Sequence, residues 1–188
     1  ARLVLLTPDK QNANLLATLS LPLDDLHPDY PALTLANQLF GGQGSGRLWM
    51  RIREQGGLSY DVRSGVSWNS NEANSRWFAS AIFAPQNQAK VEAAFREELD
   101  RSLKDGFTQK ELDEARNGLL SERRLTRAQD GAVAGGLAEN LRLGRTFARS
   151  QQVDDAIAAL TLEQVNAAWR RTIDPAKIVF AWGGDFKP

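Results

Sequence analysis

RLWMRIREQGGLSY, residues 47–60, predicts an amphipathic helix, then a glycine pair that ends it, then the first residues of a strand. Trp49 belongs to the apolar face of the predicted helix, and Arg53 lies near its C-terminal end. Because glycine adopts positive φ at no steric cost, a helix that ends at Gly56–Gly57 can reverse sharply. The reversal would bring the Tyr60 phenol to the same side of the fold as the Arg53 guanidinium. Such a pair can hydrogen-bond a peptide backbone, but it cannot cleave one unaided.

The strand that follows has the clearest alternation in the chain. Every second residue from Leu58 to Trp68, including Tyr60 and Val62, is assigned to one face, and polar residues with one glycine fill the other. A polar turn at 69–72 separates it from a second strand at 75–84, which is apolar on both faces. This spacing predicts a β-hairpin with antiparallel pairing.

The remaining elements indicate the fold class. Further strands are predicted at 3–6, 15–21 and 177–182, and helices fill most of 29–55 and 86–170. Helix starts are predicted at Asp29, at Ser45, and at two capping boxes, Thr108 with Glu111 and Thr161 with Gln164. Strands and helices do not alternate one for one, which argues against a doubly wound parallel sheet. We therefore predict an α+β fold of two layers, a mostly antiparallel sheet with helices packed on one face.

Composition excludes several classes of protein. At 188 residues the chain fits one domain, and a domain of this size can bury about 70% of its unfolded surface. Its 23 basic and 23 acidic residues balance, so no global field favours nucleic acid or an anionic membrane. No apolar run approaches the roughly 18 residues of a membrane span, and the lack of cysteine excludes disulfides and thiolate metal sites. We expect neither a nucleic-acid nor a membrane partner.

Metal and acid–base chemistry have few candidate residues. His27 is the only histidine, which excludes a zinc site built on two or three histidines within this chain. The acidic pairs Asp24–Asp25 and Glu97–Glu98 are adjacent in sequence, so their members point in different directions and are expected to be solvated. The charges between Glu111 and Arg124 fit ordinary surface pairs on a helix. No serine lies in a nucleophile-elbow context with a histidine available.

The segment from Gly41 to Leu48 has the glycine spacing of a phosphate-binding loop. That motif requires lysine and then serine or threonine after its last glycine, where this chain has Arg47 and Leu48. A phosphate loop also follows a strand, whereas this segment follows a predicted helix. We therefore favour a connector between two helices, which could line a substrate groove, over a nucleotide site.

Arg53 and Tyr60 also have a purely structural interpretation. An arginine near a helix C-terminus complements the helix dipole, and a tyrosine on an alternating strand is commonly packed and half-buried. Residue physics alone favours this interpretation over a binding role.

Several motifs of the chain resemble the C-terminal-type domain of M16 metallopeptidases, the family of insulin-degrading enzyme, pitrilysin and the mitochondrial processing peptidase. The family's pattern of a glycine pair, Ser-Arg-Leu, Leu-Arg-Glu and Gly-Leu-x-Tyr is matched here by Gly41–Gly42, Arg47–Leu48, Ile52–Glu54 and Gly57–Tyr60. A downstream family helix is similar to Gly106-Phe107-Thr108 with Glu111-Leu112 and Ala115-Arg116. The resemblance spans about Leu15 to Asp185, nearly the whole chain.

The resemblance implies a two-layer α+β domain of an enzyme in which two halves enclose a chamber. In such enzymes one half binds zinc through an inverted His-x-x-Glu-His motif and a distal glutamate, and the other half supplies an arginine and a tyrosine that contact the peptide. The matching residues are Arg53 and Tyr60, whose cation and phenol can polarise a peptide carbonyl. This chain has no His-x-x-Glu-His. We therefore expect no metal site, cofactor or catalytic residue in it, and zinc in the partner domain.

Two further departures from the family pattern concern the extent of the chain. Gly46 replaces the usual serine before Arg47, and the segment before Leu15 is short for a full domain. We expect residues 1–188 to be a single C-terminal-type domain and a fragment of a longer multi-domain protein.

Two functions follow from the resemblance. The first is a non-catalytic substrate-binding domain of an M16-type zinc metalloendopeptidase, with a peptide substrate and a zinc-bearing half, on the same polypeptide or a separate subunit, as partners. Such a chain would be inactive alone. The second is a peptidase-inactive structural or assembly subunit of the same fold. Likeness to large secreted members favours a bacterial periplasmic location, with the cytoplasm as the alternative.

Overall fold

The computed structural model describes residues 1–42 and 44–186 as a five-stranded sheet with helices on one face. The strands are β1 (Arg2–Leu6), β2 (Ala13–Leu21), β3 (Ser59–Ser67), β4 (Ser75–Phe83) and β5 (Val179–Gly184). The α-helices are α1 (Tyr30–Gly41), α2 (Gln88–Lys104), α3 (Gln109–Thr126), α4 (Asp130–Arg142), α5 (Ala148–Ala159) and α6 (Leu162–Thr172). A π-helix (Trp49–Glu54) precedes β3, and 3₁₀ turns lie at Pro85–Asn87 and Pro175–Lys177. The predicted α+β fold class is confirmed.

The sheet has the order β1-β5-β2-β4-β3, and every neighbouring pair is antiparallel except β1 with β5. The predicted hairpin of β3 and β4 is present, and β4 also pairs with the whole of β2. β5 comes from the far end of the sequence and pairs with β2 on one side and β1 on the other. The edge strands are therefore β1 and β3, so the strand that begins at the glycine turn has a neighbouring strand on one side only.

One face of the sheet is buried beneath the helices. Along β2, five buried residues alternate with more exposed ones such as Leu16, which is 46% exposed. β4 shows the same period of two, so that Trp77 is buried while its neighbour Phe78 is only half-buried. This alternation is what an antiparallel sheet requires when one face packs on a core and the other meets water.

Large aromatic side chains fill the space between the sheet and the helices. The rings of Phe40 on α1, Trp77 and Trp169 pack in a triangle, with centroids 6.1 Å (Phe40–Trp77), 5.1 Å (Phe40–Trp169) and 6.3 Å (Trp77–Trp169) apart. The buried Trp77 Nε1 donates to Asn37 Oδ1 at 3.1 Å. The buried Trp169 Nε1 donates to Ser102 Oγ at 2.9 Å. Both indole N–H groups are therefore satisfied, which avoids the roughly 1–3 kcal/mol that an unpaired buried donor costs.

Asn37 also fixes α1 against β3. Its Oδ1 accepts a hydrogen bond from Ser64 Oγ at 2.8 Å, and its Nδ2 donates to the Ser64 carbonyl at 3.2 Å. One turn later Gly41 approaches β3 so closely that a Cβ atom there would lie 2.1 Å from Ser64 Oγ and 2.6 Å from Ser64 N. Glycine is therefore required at this position, where α1 ends and the chain turns toward the π-helix.

Of the four predicted helix starts, three are confirmed and that at Ser45 is wrong. Both capping boxes are present, at Thr108 with Glu111 and at Thr161 with Gln164. Asp29 occupies the N-cap position of α1 but makes no capping bond, because its carboxylate accepts from the Arg171 guanidinium at 2.7 Å instead. Ser45 is displaced from its predicted role because the helical residues begin at Arg47, so that Gly46 precedes them.

Gly41→Ala is expected to lower the free energy of unfolding by about 2 kcal/mol, because the added Cβ overlaps both the side chain and the backbone of Ser64. Denaturant titration measures this loss. Gly118, inside α3, is the control, since a Cβ added there would meet no atom within 4 Å. Gly118→Ala should stabilise the protein by up to about 1 kcal/mol through helix propensity. Equal effects of the two substitutions would contradict the close approach.

Candidate functional site

Arg53 is carried by the π-helix. The widened turn is marked by a hydrogen bond from Gln55 N to Met50 O at 2.9 Å, five residues apart. Ile52 is fully buried and attaches the π-helix to the core. The chain then reverses at Gly57, which has a φ of 57°. The predicted helix and glycine reversal are confirmed, although apolar spacing over so short a stretch does not distinguish a π-helix from an α-helix.

Tyr60 lies at a β-bulge. In the β3–β4 ladder Ser59 pairs with Phe83 and Asp61 pairs with Ile82, so Tyr60 is an extra residue without a partner on β4. The Oγ of the buried Ser59 lies 2.7 Å from the Asp61 carbonyl oxygen and 2.7 Å from that of Ile82. The Ser59 hydroxyl therefore bridges the two strands where the ladder is interrupted.

The bulge corrects the predicted orientation of Tyr60. Alternation assigns Tyr60 and Val62 to the same face, yet Val62 is 1% exposed and Tyr60 is 79% exposed. One inserted residue changes the face on which the residues before it lie, and nothing in the alternating pattern reveals the insertion. The phenol is therefore open to solvent rather than packed and half-buried.

Arg53 lies beside two aromatic rings. Its Cζ is 4.1 Å from the centroid of the Trp49 ring and 5.9 Å from that of Tyr60, both within the range of cation–π contact. The guanidinium and the phenol are thus neighbours, as the glycine turn predicts. The sequence pattern assigns Trp49 only to an apolar face, and it does not predict the contact of Trp49 with Arg53. The four-residue spacing of Trp49 and Arg53 on one helix is the signal that could have found it.

The Arg53 side chain has no anionic partner in the part of the chain that the structure describes. Among the arginines of residues 1–42 and 44–186, only Arg53, Arg76 and Arg124 have side chains without a hydrogen bond or ion pair. Arg76 and Arg124 are exposed, whereas Arg53 is half-buried. A half-buried guanidinium with aromatic neighbours and unpaired N–H groups is suited to bind a carbonyl or carboxylate oxygen of a ligand.

Arg47 is the first residue of the helical segment 47–54 that carries Arg53, hereafter the site helix, and it joins the start of this segment to the loop between α2 and α3. Its Nε and Nη2 donate to the Glu111 carboxylate at 2.6 and 2.9 Å. Nη2 also donates to the Gly106 carbonyl at 2.8 Å, and Cζ lies 4.9 Å from the Phe107 ring. The prediction that Glu111 forms an ordinary surface pair is wrong, because its partner lies 64 residues away. Two motifs that separately resemble the family therefore form one contact.

Hydrogen bonds control the ionisation of Glu111. Burial by itself would raise the pKa of this carboxyl, but bonds from Arg47 and from the backbone and hydroxyl of Thr108 outweigh burial and lower the pKa from 4.5 to about 2. The group is therefore ionised at neutral pH, and it serves the Arg47 ion pair and the capping box of α3 together.

Of the four acidic residues that are expected to be solvated, Glu97 is exposed and pairs with Arg51 at 2.9 Å, while Glu98 and Asp25 are less exposed and also pair with arginine. Glu98 is fully buried because it lies on the core-facing stripe of α2, and it contacts Arg101 at 2.6 Å. Asp25 accepts bonds from both terminal nitrogens of Arg145, at 2.7 and 2.9 Å. These contacts account for the two carboxylates without a catalytic role.

The residues of this chain do not fit a zinc site. Within residues 1–42 and 44–186, no group of three or more His, Cys, Asp and Glu side chains is arranged to bind a metal ion. The Nδ1 of His27 accepts the backbone N–H of Asp29 at 3.1 Å, so one ring nitrogen is already engaged.

No helix in the same described ranges has both the length and the apolarity needed to span a bilayer.

Comparison with known families and structures is consistent with this geometry. A family model described as the peptidase M16 inactive domain matches residues 2–119, a segment that includes Arg47, Arg53 and Tyr60. No curated protein sequence matches the chain. The solved peptidase M16 inactive domain from Pseudomonas fluorescens has a TM-score of 0.86 at 26% identity, over 97% of this chain and 42% of that one.

Two other solved structures share the fold at lower identity. A protease from Helicobacter pylori has a TM-score of 0.85 at 15% identity, over 100% of this chain and 44% of that one. The inactive peptidase domain of a proposed zinc protease from Bordetella parapertussis has a TM-score of 0.76 at 21% identity, over 91% of each chain. This chain thus spans less than half the length of the Pseudomonas and Helicobacter chains.

The stability that Glu111 contributes should depend on pH. Its pKa is lower in the folded protein than in the unfolded chain, so the contribution is complete above about 4.5 and is lost as pH falls toward about 2. At pH 7 Glu111→Gln should lower the free energy of unfolding by about 1–2 kcal/mol, less than the full pKa shift implies, because the side chain is 32% exposed.

Denaturant titrations of wild type and Glu111→Gln at several pH values measure this difference, which should shrink as pH falls from 4.5. Glu114→Gln, on the same helix, is the control, since its 65% exposed carboxylate lies 4.0 Å from Lys110. It should change stability by less than about 0.5 kcal/mol at any pH. A loss for Glu111→Gln that is as large at pH 2.5 as at pH 7 would contradict the assigned pKa.

Proposed function

The chain belongs to the family of M16 peptidase inactive domains, and on that premise we propose that it is the non-catalytic, substrate-binding domain of a zinc metalloendopeptidase whose zinc lies in another domain. In this proposal Arg53 and Tyr60 bind the peptide substrate. The partner is a zinc-bearing half, on the same polypeptide or on a separate subunit. Residues 1–188 form one domain of that longer protein, and a bacterial periplasmic location belongs to the same proposal.

The arrangement of Trp49, Arg53 and Tyr60 carries this proposal. The two rings lie 4.1 and 5.9 Å from Arg53 Cζ, and the guanidinium N–H groups have no partner in the described ranges. A guanidinium offers five N–H donors, and the neighbouring phenol adds one O–H donor. These donors can bind a peptide carbonyl and stabilise the negative charge that develops on its oxygen during cleavage.

The position of β3 supports binding of an extended peptide. As an edge strand it pairs with β4 on one side only, so backbone groups near its start, away from the contact of Ser64 with α1, can pair with an added strand. β3 begins directly after the turn that follows Arg53, and its second residue is Tyr60. A peptide that paired with β3 would place one of its carbonyl groups near the Arg53 and Tyr60 donors.

A peptidase-inactive structural or assembly subunit is the second candidate. It is favoured by the contacts of Arg53 with Trp49 and Tyr60, because these contacts are complete within the domain and can persist without a substrate. The two candidates differ in what the complete protein contains. A zinc-binding motif in the partner half is required by the first candidate and not by the second.

In the complete zinc-bearing enzyme, Arg53→Ala should lower kcat/KM by about 100-fold, because a donor that stabilises the developing charge is lost. Tyr60→Phe removes only one hydroxyl and should lower kcat/KM by about 10-fold, the value of a single hydrogen bond. Peptide hydrolysis kinetics measure both effects. Zinc content and Tm should match those of the wild type.

Arg124→Ala is the matched control, because Arg124 is also an arginine without a partner in the described ranges but is exposed on α3. It should keep the wild-type kcat/KM. A complete protein that binds no zinc and cleaves no peptide would replace the first candidate with the second. If cleavage is unchanged after both site substitutions, neither side chain binds the substrate. Arg53 is then a charge that complements the helix dipole, and Tyr60 is a surface side chain.

A further inference from the structure

We propose that Trp49 is a positioning residue for Arg53. In this proposal the indole ring fixes the guanidinium at the substrate site and leaves its N–H groups for the peptide. The inference rests on the proposed function, since it assigns Trp49 a part in substrate binding through Arg53. It concerns a residue that neither the motif resemblance nor the family match assigns to the site.

Contact with the aromatic rings is the interaction that restricts the conformational freedom of the Arg53 side chain. A long arginine side chain loses several freely rotating torsions when it is fixed, so an ordered guanidinium needs a compensating contact. In residues 1–42 and 44–186, Arg53 has no hydrogen bond or ion pair that could provide it. Of its two aromatic neighbours, Trp49 is the nearer, at 4.1 Å against 5.9 Å for Tyr60, and an indole gives the strongest cation–π contact.

Trp49 is itself fixed by two contacts. It is half-buried and packs against the hydrophobic core, and its Nε1 donates to Glu54 Oε1 at 3.1 Å. Glu54 directly follows Arg53 in sequence, yet the two side chains form no ion pair in the described structure. The carboxylate therefore orients the indole instead of neutralising the guanidinium, and the positive charge stays available to a ligand.

The π-helix sets the spacing of the two side chains. Trp49 is its first residue and Arg53 its fifth, and the Gln55-to-Met50 bond widens the turn between them. Short π-helical segments frequently occur at functional sites, where the altered turn changes the direction of a side chain. The backbone geometry and the ring contact thus support the same assignment.

Two substitutions separate the aromatic ring from the rest of Trp49. Phenylalanine keeps an aromatic face but loses the N–H group, whereas leucine loses the face altogether. In the complete enzyme Trp49→Phe should cost less than about 3-fold in kcat/KM and Trp49→Leu about 10-fold. In an Arg53→Ala background Trp49→Leu should cost nothing further, because its effect passes through Arg53. Additive losses in the double variant would overturn the proposal.

Crystal structures of the same variants give a readout that does not depend on activity. The Arg53 guanidinium should stay over the ring in Trp49→Phe and lose that position in Trp49→Leu. Trp68→Leu is the control, because Trp68 is also half-buried but packs against Tyr30, with ring centroids 4.7 Å apart and the ring planes inclined at 60°. If the loss of a half-buried tryptophan lowers Tm in general, Trp68→Leu should lower it as well, but the Arg53 guanidinium should keep its position.

Failure of this inference is distinguishable from failure of the proposed function. If Arg53→Ala lowers kcat/KM while Arg53 keeps its position in Trp49→Leu, the function stands and the positioning role is refuted. If Arg53→Ala has no effect on kcat/KM, the proposed function fails. The position of Arg53 in the Trp49→Leu crystal structure then decides the positioning role alone.

Discussion

The bidentate contact between Arg47 and Glu111 is the interaction on which the geometry of the candidate site depends. The Arg47 side chain is 11% exposed and that of Glu111 is 32% exposed, so loss of the carboxylate charge leaves a largely buried guanidinium uncompensated, at a cost of about 1–2 kcal/mol. The Glu111 carboxylate closes the capping box of α3 and also binds Arg47, the first residue of the site helix. Arg47 donates in addition to the Gly106 carbonyl in the loop before α3. The start of α3, the loop before it and the start of the site helix are therefore fixed by a single group.

Two departures from regular backbone geometry bring Arg53 and Tyr60 to the same place. Arg53 lies on the π-helix directly after the core residue Ile52, and the β-bulge turns Tyr60 away from the buried face. A bulge interrupts the ladder of hydrogen bonds, and here the Ser59 hydroxyl offsets part of that loss by bridging two carbonyls. The packed core supplies the stability, while the irregular backbone supplies the direction of the two side chains.

Much of this fold could be predicted from local patterns, because its determinants lie within a few residues of each other. The period of two in β2, the hairpin of β3 and β4, and both capping boxes are of this kind. The errors arise where the determinant is distant or is an insertion. Glu111 binds an arginine 64 residues away, and the bulge at Tyr60 leaves no mark on the alternating pattern. Arg53 and Tyr60 were selected by family resemblance, whereas the role of Trp49 needs the three-dimensional distance to be recognised.

β5 lies between β1 and β2 although it is the last strand of the sequence. β1 has no other partner in the sheet, so its pairing waits for residues 180–184. The segment matched by the family model, residues 2–119, contains β1 without β5. Pairing of strands so far apart in sequence requires a large loop to close, and the chain entropy is lost before the stabilising contacts form. The pairing of β1 with β5 is therefore a late and slow event in folding. Until β5 has been synthesised, β1 therefore has no paired backbone edge, and its leucines, which stay 51, 54 and 68% exposed in the folded domain, lie beside that open edge as a template for aggregation.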